Sequence, residues 1–167
     1  MNITLRPWRL SDAKDLAAAL SNTKILDNLR DGLPYPYTEA DAQGYITAML
    51  SAPKDEVFAW AIAVDDKAVG SIGVFRKDNI HRRTAEIGYY IAEEHWGKGI
   101  GTFAVKTACD FVFANTDIIR IFGEPFAYNM ASCRVLEKAG FVYEGTLKSN
   151  AEKNGRVLDM ELYAKVI

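Results

Sequence analysis

Apolar residues recur in two rhythms along this chain. Ala42, Tyr45, Ile46, Met49 and Leu50 fall at i, i+3, i+4, i+7 and i+8, which gives a helix one buried stripe. Thr38 stands where that helix needs a cap, and Pro53 ends it. Ala104, Val105, Ala108, Phe111 and Val112 make a second stripe of the same period. Between the two, apolar and β-branched residues crowd 57–64, 68–75 and 84–92, as in strands, and Asp65-Asp66-Lys67 reads as the hairpin turn joining the first pair. Residues 3–6 alternate and stop at Pro7, a short first strand. Ser11 is positioned to cap a helix over 12–20, and a weaker helix is expected over 22–30. Residues 31–37 form a loop stiffened by Pro34 and Pro36. A strand over 118–125 precedes a helix over 130–139, capped by Asn129 and stopped by Gly140 and Phe141. Strands over 141–147 and 157–165 close the chain around Lys153-Asn154-Gly155. Leaving aside 22–30, the order is β-α-α-β-β-β-α-β-α-β-β.

The stretch Glu93-Glu94-His95-Trp96-Gly97-Lys98-Gly99-Ile100-Gly101-Thr102 sits between a strand and a helix. Glycines there let the backbone turn left-handed and approach a ligand closely. Successive amides and the helix N-terminus then make a site for a phosphate or pyrophosphate. Two phosphate loops are excluded by spacing. A P-loop needs Ser or Thr after its Gly-Lys, but Lys98 is followed by Gly99. The dinucleotide fingerprint fails because Thr102 or Ala104 stands where its third glycine belongs.

Composition narrows the field. The chain has 167 residues, enough for one domain over 1–167, and 49% of them are hydrophobic, which excludes a disordered chain. A net charge of −2, with no basic run denser than His81-Arg82-Arg83, gives no nucleic-acid footprint. No apolar run approaches the roughly 18 residues of a membrane span. Met1-Asn2-Ile3-Thr4 lacks a leader pattern, so a cytoplasmic protein with no membrane partner is expected. Cys109 and Cys133 lie in expected helices as small buried side chains. His81 and His95 lack metal-ligand spacing, so no metal is expected.

Trp96-Gly97-Lys98-Gly99-Ile100-Gly101 resembles the pyrophosphate loop of the GNAT N-acetyltransferases, Gln/Arg-x-x-Gly-x-Gly/Ala, with Trp replacing Gln/Arg. Tyr128-Asn129-Met130-Ala131-Ser132-Cys133-Arg134-Val135-Leu136-Glu137-Lys138-Ala139-Gly140-Phe141 is similar to that family's Asn-x-x-Ser-x-x-x-Leu-Glu-Lys-x-Gly-Phe block. Ala85-Glu86-Ile87-Gly88-Tyr89 resembles the strand before the loop. Pro36-Tyr37-Thr38-Glu39-Ala40-Asp41-Ala42 and the tail from Asn154 to Tyr163 resemble the ribosomal-protein N-terminal acetyltransferase (RimJ/RimL-like) branch. The resemblance implies the GNAT fold, α+β, with a mixed, mostly antiparallel seven-stranded sheet and helices on both faces. It implies acetyl-CoA as co-substrate and an amine acceptor: a protein N-terminus, polyamine, antibiotic or metabolite. A second copy of the chain is a further admissible partner. A non-catalytic acyl-CoA-binding module on the same fold is the alternative, and ATP binding at the glycine loop is a rival from another class.

Acyl transfer to an amine needs a neutral nucleophile, and an alkylamine of pKa near 10.4 is only ~0.1% free base at neutral pH. Glu86, an acid inside an apolar strand, is the first candidate base, with an ion pair to Arg82, Arg83 or Lys77 as its bland alternative. Glu144 is the second candidate base. The resemblance makes Tyr90, Ile91 and Ala92 the source of a backbone N–H for the developing oxyanion. It assigns Trp96, Gly97, Lys98, Gly99, Ile100, Gly101 and Thr102 to the pyrophosphate. Asn129 then binds pantetheine besides capping its helix. Ser132 donates to the thioester sulfur, with Tyr128 as rival donor. Tyr35 and Tyr37, on the proline loop, are expected to line the acceptor pocket.

Overall fold

The apolar stripes sort the helices onto opposite faces of one sheet. The computed structural model describes residues 1–167. Its strands are β1 (Ile3–Arg6), β2 (Val57–Val64), β3 (Lys67–Arg76), β4 (Thr84–Ile91), β5 (Arg120–Gly123), β6 (Val142–Lys153) and β7 (Arg156–Val166). Its helices are α1 (Ala13–Leu20), α2 (Thr23–Leu26), α3 (Glu39–Ser51), α4 (Ile100–Asn115) and α5 (Met130–Lys138). The sheet order is β1-β2-β3-β4-β5-β7-β6, antiparallel throughout except for the parallel β4–β5 pair. On one face Ile100, Val105, Val112 and Leu136 of α4 and α5 pack on Ile72, Val74, Ile87 and Ile121. On the other, Leu16, Leu20 and Ile46 of α1 and α3 gather around Trp8 and Ala61. No helix is long and apolar enough to cross a membrane.

Local chemistry explains most element ends. Asp65 and Asp66, at φ 49° and 68°, form the two-residue turn that matches the twist of a hairpin. Thr38 and Asp41 cap α3 reciprocally. Ser11 does not cap α1. It lies in a 3-10 turn, and Asp12 Oδ2 accepts the Arg9 amide at 2.9 Å instead. Asp12 also takes two bonds from the Arg6 guanidinium, at 2.9 and 2.8 Å, which tie β1 to the start of α1.

The helix expected over 22–30 shrinks to one turn, α2, because tertiary contacts claim the polar groups beyond it. Tyr128 Oη donates to the Asp27 carbonyl, Asn154 Nδ2 reaches Asp27 Oδ1 at 3.3 Å, and Lys153 Nζ reaches Asp31 Oδ1 at 3.0 Å. At its other end, Asn22 Nδ2 and Lys24 Nζ each lie 2.7 Å from the Glu93 carboxylate, just before the glycine stretch. The α2 segment is thus strapped between the glycine turn and the tip of the β6–β7 hairpin.

Candidate active site

The single parallel pairing opens the sheet. β4 and β5 pair only at Thr84–Arg120, Ala85–Ile121 and Glu86–Phe122, while the other edge of β5 pairs with β7 along its whole length. The rest of β4 continues beside β3 alone. The Ala92 amide bonds Val69 O at 2.8 Å, and the Lys77 amide bonds Thr84 O at 2.9 Å. Antiparallel ladders alternate, so even-numbered residues of β4 spend their amides on β3 and odd-numbered ones turn them toward β5. The amides of Tyr89 and Ile91 therefore face the gap where β5 has left. This corrects the oxyanion-donor expectation. Tyr90 and Ala92 have their amides in the β3 ladder, and Ala92 lies outside the cleft that fills the gap.

That cleft measures about 850 Å³ and is lined at one end by the glycine turn. Gly97 and Gly99 take φ values of +73° and +76°, which a residue with a Cβ adopts only under strain. The amide of Phe103 is the first to bond back into α4, to Gly99 O at 3.1 Å. The amides of residues 97–102 donate to no protein acceptor, and all of these residues line the cleft. Six unpaired amides at the start of a 16-residue helix make a concentrated anion site. Lys98, Arg134 and Lys138 add cationic side chains beside it. Trp96 does the work of a strut. Its Nε1–H donates to Ile91 O at 2.7 Å and pins the turn to the end of β4.

Across the gap, Asn129 Oδ1 accepts the Ser132 amide at 3.2 Å and starts α5, leaving its Nδ2 free of protein partners. Ser132 Oγ lies 2.8 Å from Tyr89 Oη. Burial pushes the Tyr89 hydroxyl up to about 12 against the opposing bond from Ser132, so it stays a proton donor at neutral pH. Strand alternation puts Tyr89 on the α4/α5 face of the sheet and Glu86, Gly88 and Tyr90 on the α1/α3 face. The cleft joins both faces through the gap.

On the α1/α3 side Glu86 is paired with Arg30, not with Arg82, Arg83 or Lys77. The same guanidinium stands 3.8 Å from Glu124, just past β5. Burial, and then the neighbouring Glu86 carboxylate, hold the Glu124 carboxyl above its usual range. Tyr45 Oη lies 3.3 Å from Ser71 Oγ on this side, next to Tyr90, whose hydroxyl burial raises far above its ordinary pKa.

The cleft brings together Glu86, Ile91, Trp96, Gly97, Lys98, Gly99, Ile100, Gly101, Thr102, Asn129 and Ser132. The side chain of Tyr90 also lines it, from the α1/α3 face. Besides Ala92, three expected residues lie elsewhere. Tyr35 is exposed, Tyr37 is buried in the α1/α3 core, and Glu144 forms an ion pair with Arg120 on β5. Tyr128 is occupied by the Asp27 carbonyl. Sequence reasoning missed Tyr89, Arg30, Glu124 and His95, whose buried Nδ1 has no partner in the cleft wall. Alternation from Glu86 carried the signal for Tyr89; nothing local marked Arg30 or Glu124.

Known proteins share this fold. Residues 2–142 match the family model described as an acetyltransferase (GNAT) domain. The protein named "Probable N-acetyltransferase YjcK" of Bacillus subtilis is 38% identical over 113 residues, 66% of this chain and 62% of that protein, so the match spans under two thirds of that relative. "Uncharacterized N-acetyltransferase p20" of Bacillus licheniformis is 26% identical over 166 residues, 97% of this chain and 91% of that protein. The solved structure of Mycobacterium smegmatis RimJ in complex with CoA-disulfide superposes with a TM-score of 0.88 at 25% identity, covering 98% of this chain and 81% of that one. With a family model matched over most of its length and a solved structure of the same fold, the chain belongs to the GNAT acetyltransferase family.

Proposed function

We propose that the chain is an acetyl-CoA-dependent N-acetyltransferase that moves acetyl to a primary amine by direct attack, the 167 residues acting as one catalytic domain. The observation that carries this reading is the gap between β4 and β5, with the unpaired amides of residues 97–102 at one end and Glu86 at the other. Acetyl-CoA supplies an acyl group activated as a thioester. The amides of residues 97–102, with Lys98 and Arg134, bind its phosphates. Asn129 Nδ2 is available to a pantetheine amide. The Tyr89 and Ile91 amides are aimed where negative charge develops on the acyl oxygen. Glu86, directly or through water, takes the proton that the amine loses as the N–C bond forms. The Tyr89–Ser132 pair returns a proton to the sulfur as the C–S bond breaks. A free thiol of pKa about 8.5 is a fair leaving group, so this last contribution is the smaller one.

The acceptor belongs with the amines of the ribosomal-protein acetyltransferase branch, in keeping with the likeness to RimJ, and cytoplasmic work fits that acceptor. Thermal unfolding with acetyl-CoA, using ATP and NAD as controls, tests the co-substrate. Ligand at about 100 times Kd stabilises by roughly 2.7 kcal/mol, a rise of a few degrees at this size. Amine-dependent release of CoA then separates an enzyme from a binding module. A shift with ATP and none with acetyl-CoA would refute the proposal.

A further inference from the structure

The α1/α3 side of the cleft has features that transfer chemistry alone does not require. The Arg30 guanidinium comes from the turn after α2 and rests on Glu86, with Glu124 3.8 Å away. The side chains of Glu86 and Glu124 are 18% and 23% exposed, whereas that of Arg30 is 64% exposed. The two acids are therefore held at the parted strands, Glu86 on β4 and Glu124 directly after β5, while the cation between them is a long side chain mostly in water. An ion pair of that kind contributes little and exchanges readily. Removing the guanidinium without replacement would leave two half-buried carboxylates facing each other.

The floor beside them is asymmetric. Register sets Gly73 opposite Gly88 and Phe75 opposite Glu86. A Cβ on Gly73 would lie 2.6 Å from the Phe75 ring, so that ring leans back over Gly73. A Cβ on Gly88 would meet nothing within 4 Å. The result is a slot above Gly88, between Phe75 and Tyr90, with Leu29 and Leu33 as apolar walls.

Resting on the N-acetyltransferase reading, we propose that Arg30 holds the acceptor's place. The acceptor is an amine with no carboxylate near its nitrogen. Its ammonium replaces the Arg30 guanidinium between Glu86 and Glu124, and its apolar arm lies in the slot above Gly88. An acceptor bearing a carboxylate would set a third negative charge against the two glutamates and an anion against Phe75, Leu29 and Leu33. Arg30 and Glu124 are thereby specificity-determining residues, and Glu86 serves both recognition and proton removal.

The test is the rate of CoA release by the full chain at saturating acetyl-CoA, with butylamine and γ-aminobutyrate as acceptors. Their amines have similar basicity and their chains similar length, so charge is the main difference. The expected result is a kcat/KM for butylamine about tenfold or more above that for γ-aminobutyrate. Glu124→Gln should raise KM for butylamine while kcat changes little. Arg30→Ala should lower that KM by removing the internal competitor. An unchanged rise in melting temperature with acetyl-CoA certifies that both variants are folded. Equal kcat/KM for the two amines, or an Arg30→Ala variant with the wild-type KM, overturns this inference and leaves the enzyme reading standing. No CoA release with any amine overturns both.

Discussion

The hydroxyls of Tyr89 on β4 and Ser132 on α5 lie 2.8 Å apart across the gap in the sheet. The two are coupled, because Tyr89 is buried against Ser132 and Ser132 is held by the Asn129 cap. Tyr89→Phe and Ser132→Ala are each expected to lower kcat by about tenfold to a hundredfold, toward the low end of general-acid effects because the thiolate leaves readily. The double variant should fall little further, since the pair acts as one unit. The thermal shift with acetyl-CoA should stay at its wild-type size in all three. With its pKa pushed up to about 12, Tyr89 should cause no alkaline loss of kcat below about pH 10.

Glu86→Gln removes the proposed base and keeps the shape. The expected loss in kcat/KM is about a hundredfold near neutral pH, shrinking as pH approaches the amine's own pKa. A pH–rate profile measured with butylamine gives the answer. A wild-type profile in the variant would take Glu86 out of the mechanism.

Glu144→Gln is the matching control. Its partner Arg120 and its place on β6 put it away from the cleft. The pair is about a third exposed, so its loss should cost less than about 1 kcal/mol of stability. Steady-state kinetics should show wild-type kcat and KM.

Trp96→Phe deletes the Nε1–H bond to Ile91 O and keeps an aromatic, though smaller, side chain at that place. The glycine turn then loses its tie to β4. Acetyl-CoA affinity should fall several-fold, about 1 kcal/mol, because the bond lies at an exposed position. Calorimetric titration with acetyl-CoA measures it directly.

Asp12→Asn should destabilise the fold by about 2 kcal/mol, since it takes from the buried Arg6 guanidinium the nearer of its two carboxylate partners and leaves only Asp66, 3.0 Å from Nε. Burial alone would raise the Asp12 carboxyl, but hydrogen bonds from the Arg6 side chain and the Arg9 amide outweigh it and hold it below 3.8. A depressed acid contributes stability above its unfolded pKa and loses it as pH falls through the folded value. Urea titrations of wild type and variant should therefore converge as pH drops below about 4.

Much of the fold was legible because its rules are local. The helical stripe at Ala42–Leu50, the Asp65-Asp66 turn, the Asn129 cap and the glycines at 97 and 99 each depend on neighbours within a few residues. So the sequence by itself determined the element order, the glycine turn with its unpaired amides at the start of α4 and the presence of Asn129 and Ser132 at the start of α5. Of the ends that misread, α2 is a place where distant residues outbid local preference, whereas Ser11 loses to its neighbour Asp12, which takes the Arg9 amide. The partners of the acidic residues belong to the same class. Glu86 meets Arg30 and Glu124, and Glu144 meets Arg120, only because β4 and β5 part after the Glu86–Phe122 pair and β5 carries β7 and then β6 on its other edge. Tertiary structure alone decided which carboxylate faces the cleft, which amides of β4 are free and which hydroxyl meets Ser132. Each is set by strand order and register, quantities that join residues far apart in the chain and leave no periodic mark in it.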